Sequence, residues 1–304
     1  MNKDISIWGA GLSGLIAANV FQNARVYDRN PPPTDGGHHK ALLRFRSSAV
    51  GDACGIDFRK VRVHKGLWDN GYVQPNILHA NNYSMKVTGR LADRSIWDLE
   101  PVDRWVAPQD FYAQLLERCN GRVQWNDEVN QLSIGLGPVI STIPMPALAG
   151  ILGDPGPLPA FERSSIRVRR WIVYGADVYQ TVYLSDPELS CYRVSITGNL
   201  LIAEYMDNGC VDDPFFYPGQ PFGISVRDCE ELPAVSQEYG KIAPIDDEWR
   251  KQFMFRATHE HDIYSLGRFA TWRNILLDDV LQDCSVIKRM MAGGAYERRL
   301  GVNT

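Results

Sequence analysis

One motif near the start limits what this chain can fold into. Gly9-Ala10-Gly11-Leu12-Ser13-Gly14 reads G-x-G-x-x-G. It follows a short apolar run, Asp4–Trp8, that has strand character. Leu15, Ala18, Val20 and Phe21 then fall at helical spacing, and Ala24–Tyr27 reads as a second strand ending at Asp28. From Gly9 to Asp28 is 19 residues, close to the spacing that a β-α-β dinucleotide cradle requires. Each part has a physical role. Gly9 permits the tight turn, Gly11 has no side chain to block a pyrophosphate, and Gly14 lets helix and strand approach closely. The helix N-terminus offers N–H groups and partial positive charge to phosphates. Asp28 can accept hydrogen bonds from a ribose. A plain glycine-rich turn is the bland alternative, and the strand–turn–helix–strand context counts against it.

The rest of the chain does not repeat this unit. After Asp28 it leaves into Pro31–Gly37 (PPPTDGG), and a polar, basic stretch runs from His38 to Lys65. The pattern predicts a helix over Pro108–Cys119 and strands at Arg122–Trp125 and Val139–Ile143. Between Ile166 and Tyr205 four strands are expected as an antiparallel meander: Ile166–Tyr174, Val178–Leu184, Cys191–Ile196 and Leu200–Tyr205. Thr197-Gly198-Asn199 is the hairpin turn between the last two. A strand at Asp262–Leu266 and a helix from about Ile275 to Met291 close the chain.

Composition excludes several classes. With 44% hydrophobic and 22% charged residues the chain is neither disordered nor fibrous. Net charge −4 argues against a global basic field for nucleic acid. The six cysteines show no C-x-x-C and no neighbouring His cluster, so neither a metal site nor a disulfide framework is expected. The longest uncharged stretch, Val129–Gly153, is interrupted by Pro138, Pro144 and Pro146, so a strand and turn are expected there and no membrane span. The N-terminus carries no apolar core of signal-peptide length, and a cytoplasmic location is the expectation.

Three blocks together resemble the flavoprotein superfamily of amine oxidases, protoporphyrinogen oxidase and UDP-galactopyranose mutase. They are ISIWGAGLSGLIAANVF…RVYDR at the N-terminus with Gly36-Gly37 downstream, PVISTIPMPAL at Pro138–Leu148, and IYSLGRFATWRNILLDDVLQD at Ile263–Asp283. The resemblance implies an α/β fold: a Rossmann-like FAD-binding domain of glutathione-reductase type with a smaller, mainly antiparallel β substrate domain. The FAD domain is expected from residues 1–65, 105–160 and 255–304, and the substrate domain from 66–104 and 161–254. FAD is the implied cofactor. Gly9, Gly11, Gly14, Asp28, Arg29 and Gly37 would surround its ADP half, and the backbone of Val129 would meet adenine. Gly267 and Arg268 would lie near the pyrophosphate. Asn274 and Ile275 would start a helix whose dipole faces the flavin. Trp272 would wall the flavin ring or serve as a core tryptophan.

The implied chemistry is oxidation of a C–N bond in an amine or amino-acid-like substrate, with imine formation, hydrolysis and oxygen as acceptor. No catalytic side chain is singled out. Arg44, Arg46 and Arg170 are candidates to hold a substrate carboxylate. Two basic stretches admit a second partner. His38–Lys65 holds seven Lys/Arg against two Asp, and Arg163–Trp171 holds four Arg; a solvated face is the simpler reading. A path for DNA is the sharper one, with an amino-acid adduct on a modified thymine of bacteriophage DNA as substrate. Other readings are a non-redox flavin mutase acting on a nucleotide sugar, a nicotinamide dehydrogenase and a non-catalytic nucleotide-binding protein. Oligomeric state is not readable. With one cradle in 304 residues no nicotinamide domain is expected, so electrons would leave to a diffusing acceptor.

Overall fold

The computed structural model describes residues 4–33, 42–91, 95–153, 156–206 and 216–293, with the side chains of 237–239 excepted. In chain order the first part runs β1 (Ser6–Trp8), α1 (Leu12–Val20), β2 (Arg25–Asp28), β3 (Arg44–Phe45), α2 (Ala49–Cys54), β4 (Arg59–Trp68), α3 (Ile77–Thr88) and β5 (Val102–Val106). The centre holds α4 (Phe111–Arg118), β6 (Val123–Trp125), β7 (Val139–Ser141), α5 (Met145–Leu152), β8 (Arg163–Val173), β9 (Val178–Leu184), β10 (Cys191–Gly198) and β11 (Leu200–Met206). The last part is β12 (Cys229–Ile242), α6 (Asp247–His261), β13 (Ile263–Ser265), α7 (Arg268–Thr271) and α8 (Leu277–Ala292).

Two compact units result. The first takes Met1–Arg59, Trp105–Phe161 and Pro244–Thr304; the second takes Lys60–Arg104 and Glu162–Ala243. The divisions at 59/60 and 243/244 differ from the sequence expectation of 65/66 and 254/255. The reasons are local: β4 starts at Arg59 and belongs to the second unit's sheet, while α6 packs on β13 of the first.

The first unit is built on a parallel sheet in the order β13-β7-β1-β2-β6. Its strands are short, β1, β7 and β13 mostly apolar, and alternate residues face opposite ways. Ile7, Ile140 and Tyr264 point into one core with Leu15 and Ile16 of α1, Phe111 and Leu115 of α4, and Val280, Cys284 and Ile287 of α8. Trp8, Val139 and Ile263 alternate to the other face and are also buried. Helices on both faces are what a parallel sheet requires.

The second unit is a mainly antiparallel sheet, β12-β8-β11-β10-β9-β4-β5, in which β4 and β9 are the parallel pair. The expected hairpin is there: Thr197 pairs with Leu200, and Gly198 adopts φ +63°. The expected meander is not. β8 pairs with β11 rather than β9, so the order β8-β11-β10-β9 is that of a Greek key. Burial explains why. All seven residues of β11 are buried, which suits a strand flanked on both edges. A meander would have left β11 at an edge. Pro233, in contrast, lies in the edge strand β12, where a missing N–H is tolerated.

Candidate functional site

The site grows from the turn between β1 and α1. Gly9 has φ +99°, and a Cβ there would stand 2.6 Å from Thr142 Oγ1. A Cβ on Gly14 would stand 1.9 Å from the Gly9 carbonyl oxygen, so nothing larger than hydrogen fits. Gly11 is different. It is extended (φ −70°, ψ 177°), it is the N-cap of α1, and a Cβ there would meet nothing within 4 Å. No side chain caps α1. The helix start is therefore uncapped and the space beside Gly11 is open, as an anion site needs.

Asp28, at the end of β2, closes one side. Its Oδ2 accepts the Ala10 N–H at 2.7 Å, and its Oδ1 accepts the Asn30 N–H at 2.8 Å and Asn30 Nδ2 at 2.9 Å. Oδ2 keeps a lone pair for a further donor. Arg29 beside it is exposed. The segment after β6 is fastened to this strand end: Asn126 N–H donates to Asn30 O at 3.1 Å and Asp127 N–H to Asp28 O at 3.0 Å. Val129 follows, and with Asn130, Leu132, Ala147 and Ile151 it lines an open depression of about 610 Å³. Gly37 lies outside the described residues.

Loops from β7 and β13 complete the turn. Thr142 Oγ1 donates to Trp8 O at 2.8 Å and lies 3.2 Å from Gly9 O. Gly267, with φ +89°, leaves room for Ser13: a Cβ on it would stand 2.6 Å from Ser13 Oγ. These loops meet at the carboxyl ends of three parallel strands, where open α/β sheets bind ligands. Tyr112 of α4 reaches the same turn from below, its hydroxyl donating to Ala10 O at 2.8 Å. Sequence reasoning missed Thr142, Ser13 and Tyr112 as supports. Thr142 lies in the quoted PVISTIPMPAL block, whereas nothing local in the sequence marks Tyr112.

The C-terminal residues take more specific positions than the sequence suggested. Arg268 opens α7, and its Nε and Nη2 donate to Ile275 O at 3.1 and 3.0 Å, which ties off the loop between. The following helix begins at Leu277, so Asn274 and Ile275 precede it. Asp279 sets this start by accepting the Leu276 N–H at 2.8 Å. Arg46 engages the same helix end. Its N–H donates to Asp278 Oδ1 at 2.8 Å, and its guanidinium pairs with Asp279. Trp272 is 3% exposed, sits at φ +46°, and packs edge-on against Phe161 with ring centroids 4.9 Å apart.

Arg44 is a half-buried residue of β3, paired through its backbone with Val106. Arg170 belongs to the second unit. It is buried, its Nη2 donates to Pro233 O at 2.8 Å, and burial lowers its pKa. Nearby charges are also engaged. Arg169 pairs with Glu231 at 2.8 Å and lies over Trp171, and Arg167 lies over Tyr205. Lys60 and Arg62 share Asp103. Among the described residues no cluster of three metal-ligating side chains occurs, and no helix is long and apolar enough to cross a membrane. None of the described cysteines forms a disulfide.

No family model and no curated protein matches the sequence. Solved structures do match. A reduced UDP-galactopyranose mutase has a TM-score of 0.66 at 14% identity, over 99% of this chain and 96% of that one. A p-nitrophenol 4-monooxygenase from Pseudomonas putida DLL-E4 has a TM-score of 0.55 at 12% identity, over 98% and 82%. An aklavinone-11 hydroxylase, solved as a ternary complex with FAD and aklavinone, has a TM-score of 0.51 at 12% identity, over 96% and 71%. The chain shares the fold of these proteins.

Proposed function

We propose that this chain binds FAD and works as an FAD-dependent oxidoreductase. The observation that carries this reading is the cradle. Gly9 and Gly14 have no room for a side chain, whereas Gly11 faces empty space at an uncapped helix start. In this reading a phosphate at Gly11 would meet N–H donors, and Asp28 Oδ2 would receive a ribose hydroxyl. In this reading Arg29, Val129 and Gly267 would lie around the same cofactor. The likeness to a hydroxylase solved with FAD supports FAD over other dinucleotides.

FAD supplies a two-electron acceptor that no side chain offers. The protein's own share is to hold the phosphates with backbone N–H groups and to fix the turn through Thr142 and Asp28. The substrate class we favour is an amine or amino-acid-like molecule oxidised at its C–N bond, with oxygen taking the two electrons as peroxide. A modified nucleobase is the substrate to include if the basic segments engage DNA.

The test starts from the purified protein. Mass spectrometry of the molecule released on denaturation should give FAD, and an amine substrate should bleach the flavin absorbance and release peroxide. A protein that takes up no FAD would end the proposal. A second reading is a non-redox mutase acting on a nucleotide sugar, favoured by the likeness that spans 96% of UDP-galactopyranose mutase. Turnover that needs prereduced flavin but consumes no electrons would select it. Salt-sensitive binding of duplex DNA decides the nucleic-acid partner.

A further inference from the structure

Ala10 stands between the first two glycines of the turn, and both its polar backbone atoms are held by side chains from elsewhere. Its N–H donates to Asp28 Oδ2 at 2.7 Å, and its carbonyl accepts the Tyr112 hydroxyl at 2.8 Å. Asp28 is itself oriented by Asn30, which donates both its backbone N–H and its Nδ2 to Oδ1. Tyr112 comes from α4, 102 residues away in sequence, and is buried. Burial, and then the charge of Asp28, push its phenol up to about 12, so it stays a donor throughout the neutral range.

A trans peptide is planar, and its C=O and N–H point in opposite directions. Holding the Ala10 carbonyl on Tyr112 therefore turns the Gly11 N–H away from α4. Gly11 is also the one glycine of the three with nothing within 4 Å of a built Cβ. A turn of this kind, with a glycine on each side of Ala10, would otherwise flip this peptide at little cost. We propose that Tyr112 and Asn30 are positioning residues for cofactor binding: Tyr112 fixes the Ala10–Gly11 peptide, and Asn30, through Asp28, fixes the Gly9–Ala10 peptide before it, so that the Gly11 N–H faces the incoming pyrophosphate. This rests on the FAD reading above.

The experiment compares wild type, Tyr112→Phe and Asn30→Ala. FAD is titrated into each stripped protein by flavin fluorescence, and each stripped protein is also melted thermally. Loss of one hydrogen bond predicts a Kd about five- to tenfold weaker for Tyr112→Phe and about threefold weaker for Asn30→Ala. A purely structural role would lower the melting temperature and leave Kd unchanged, which would overturn the inference. Asn30 is exposed, so Asn30→Ala decides the matter alone if Tyr112→Phe does not fold; an unchanged Kd then overturns it. If wild type itself binds no FAD, the parent reading fails instead, and the two failures are distinct.

Discussion

Gly11→Ala separates folding from binding at the cradle. Gly11 already has φ −70°, which alanine adopts freely, and its added Cβ would touch no atom of the protein within 4 Å. Two small effects act on stability. Alanine is a poorer N-cap than glycine, at a cost of about 0.5–1 kcal/mol. It also restricts the unfolded chain, a gain of about 0.4–1 kcal/mol where the native φ is compatible. These offset, so the melting curve should stay within about 0.5 kcal/mol of wild type. Binding should behave otherwise. The methyl group occupies the space a phosphate needs, and losing one charge-assisted hydrogen bond costs about 1.5–3 kcal/mol. That is about 10- to 150-fold in Kd. The assay is FAD titration alongside thermal melting of the stripped protein. A Gly11→Ala protein that binds FAD like wild type refutes the idea that open space at Gly11 is a phosphate site. One that unfolds refutes the claim that the space is free.

Three other substitutions test neighbouring arguments. Gly14→Ala places a methyl 1.9 Å from a backbone oxygen, so it should destabilise the fold by at least about 3 kcal/mol whatever the cofactor, as read by chemical denaturation. In the second unit Glu204 is buried and accepts from Arg193 Nη2 at 2.7 Å and Tyr192 Oη at 3.1 Å. Burial works against its charge, yet Arg193 holds its pKa below the usual glutamate value. Its contribution is therefore complete above about pH 4.3 and fades as pH falls through the lowered folded value. Glu204→Gln should cost about 2 kcal/mol at pH 7, less than a fully buried pair because Arg193 is partly exposed, and the gap to wild type should close in acid denaturation melts. Lys86 Nζ donates to Asp186 O and Cys191 O at 2.7 Å and to Leu184 O at 3.2 Å. Lys86→Met should cost about 2–3 kcal/mol and speed amide exchange around 184–191.

The parallel sheet was legible because β1, β7 and β13 are short, mostly apolar runs bounded by turns. The second unit was less so. In β4, Val61, Val63 and Leu67 are buried while Lys60, Arg62 and His64 are exposed, a period of two that its many cations disguised as a polar stretch. β12 sits within a segment of 11 acidic and two basic residues, and Pro233 interrupts its pattern. Of the 15 residues of α6 only Phe253 and Ala257 are buried, so no wide apolar stripe announced a helix. Strand order depends on long-range pairing, which local periodicity does not encode. The cradle was legible because its spacing is local; Tyr112 was not, because it arrives from a separate helix.

The arginines make the final point about reading charge from sequence. Arg44, Arg46 and Arg170 were candidates to hold a carboxylate because a guanidinium can pair with one bidentately. Alternation along a strand sends neighbouring cations to opposite faces, so a run of charge is not a patch of charge. Arg169 and Arg170 are adjacent, yet one pairs with Glu231 and lies over Trp171 while the other is buried against Pro233 O. Arg46 is engaged by Asp278 and Asp279 at the start of α8, so a substrate carboxylate would have to compete with two acids already in place.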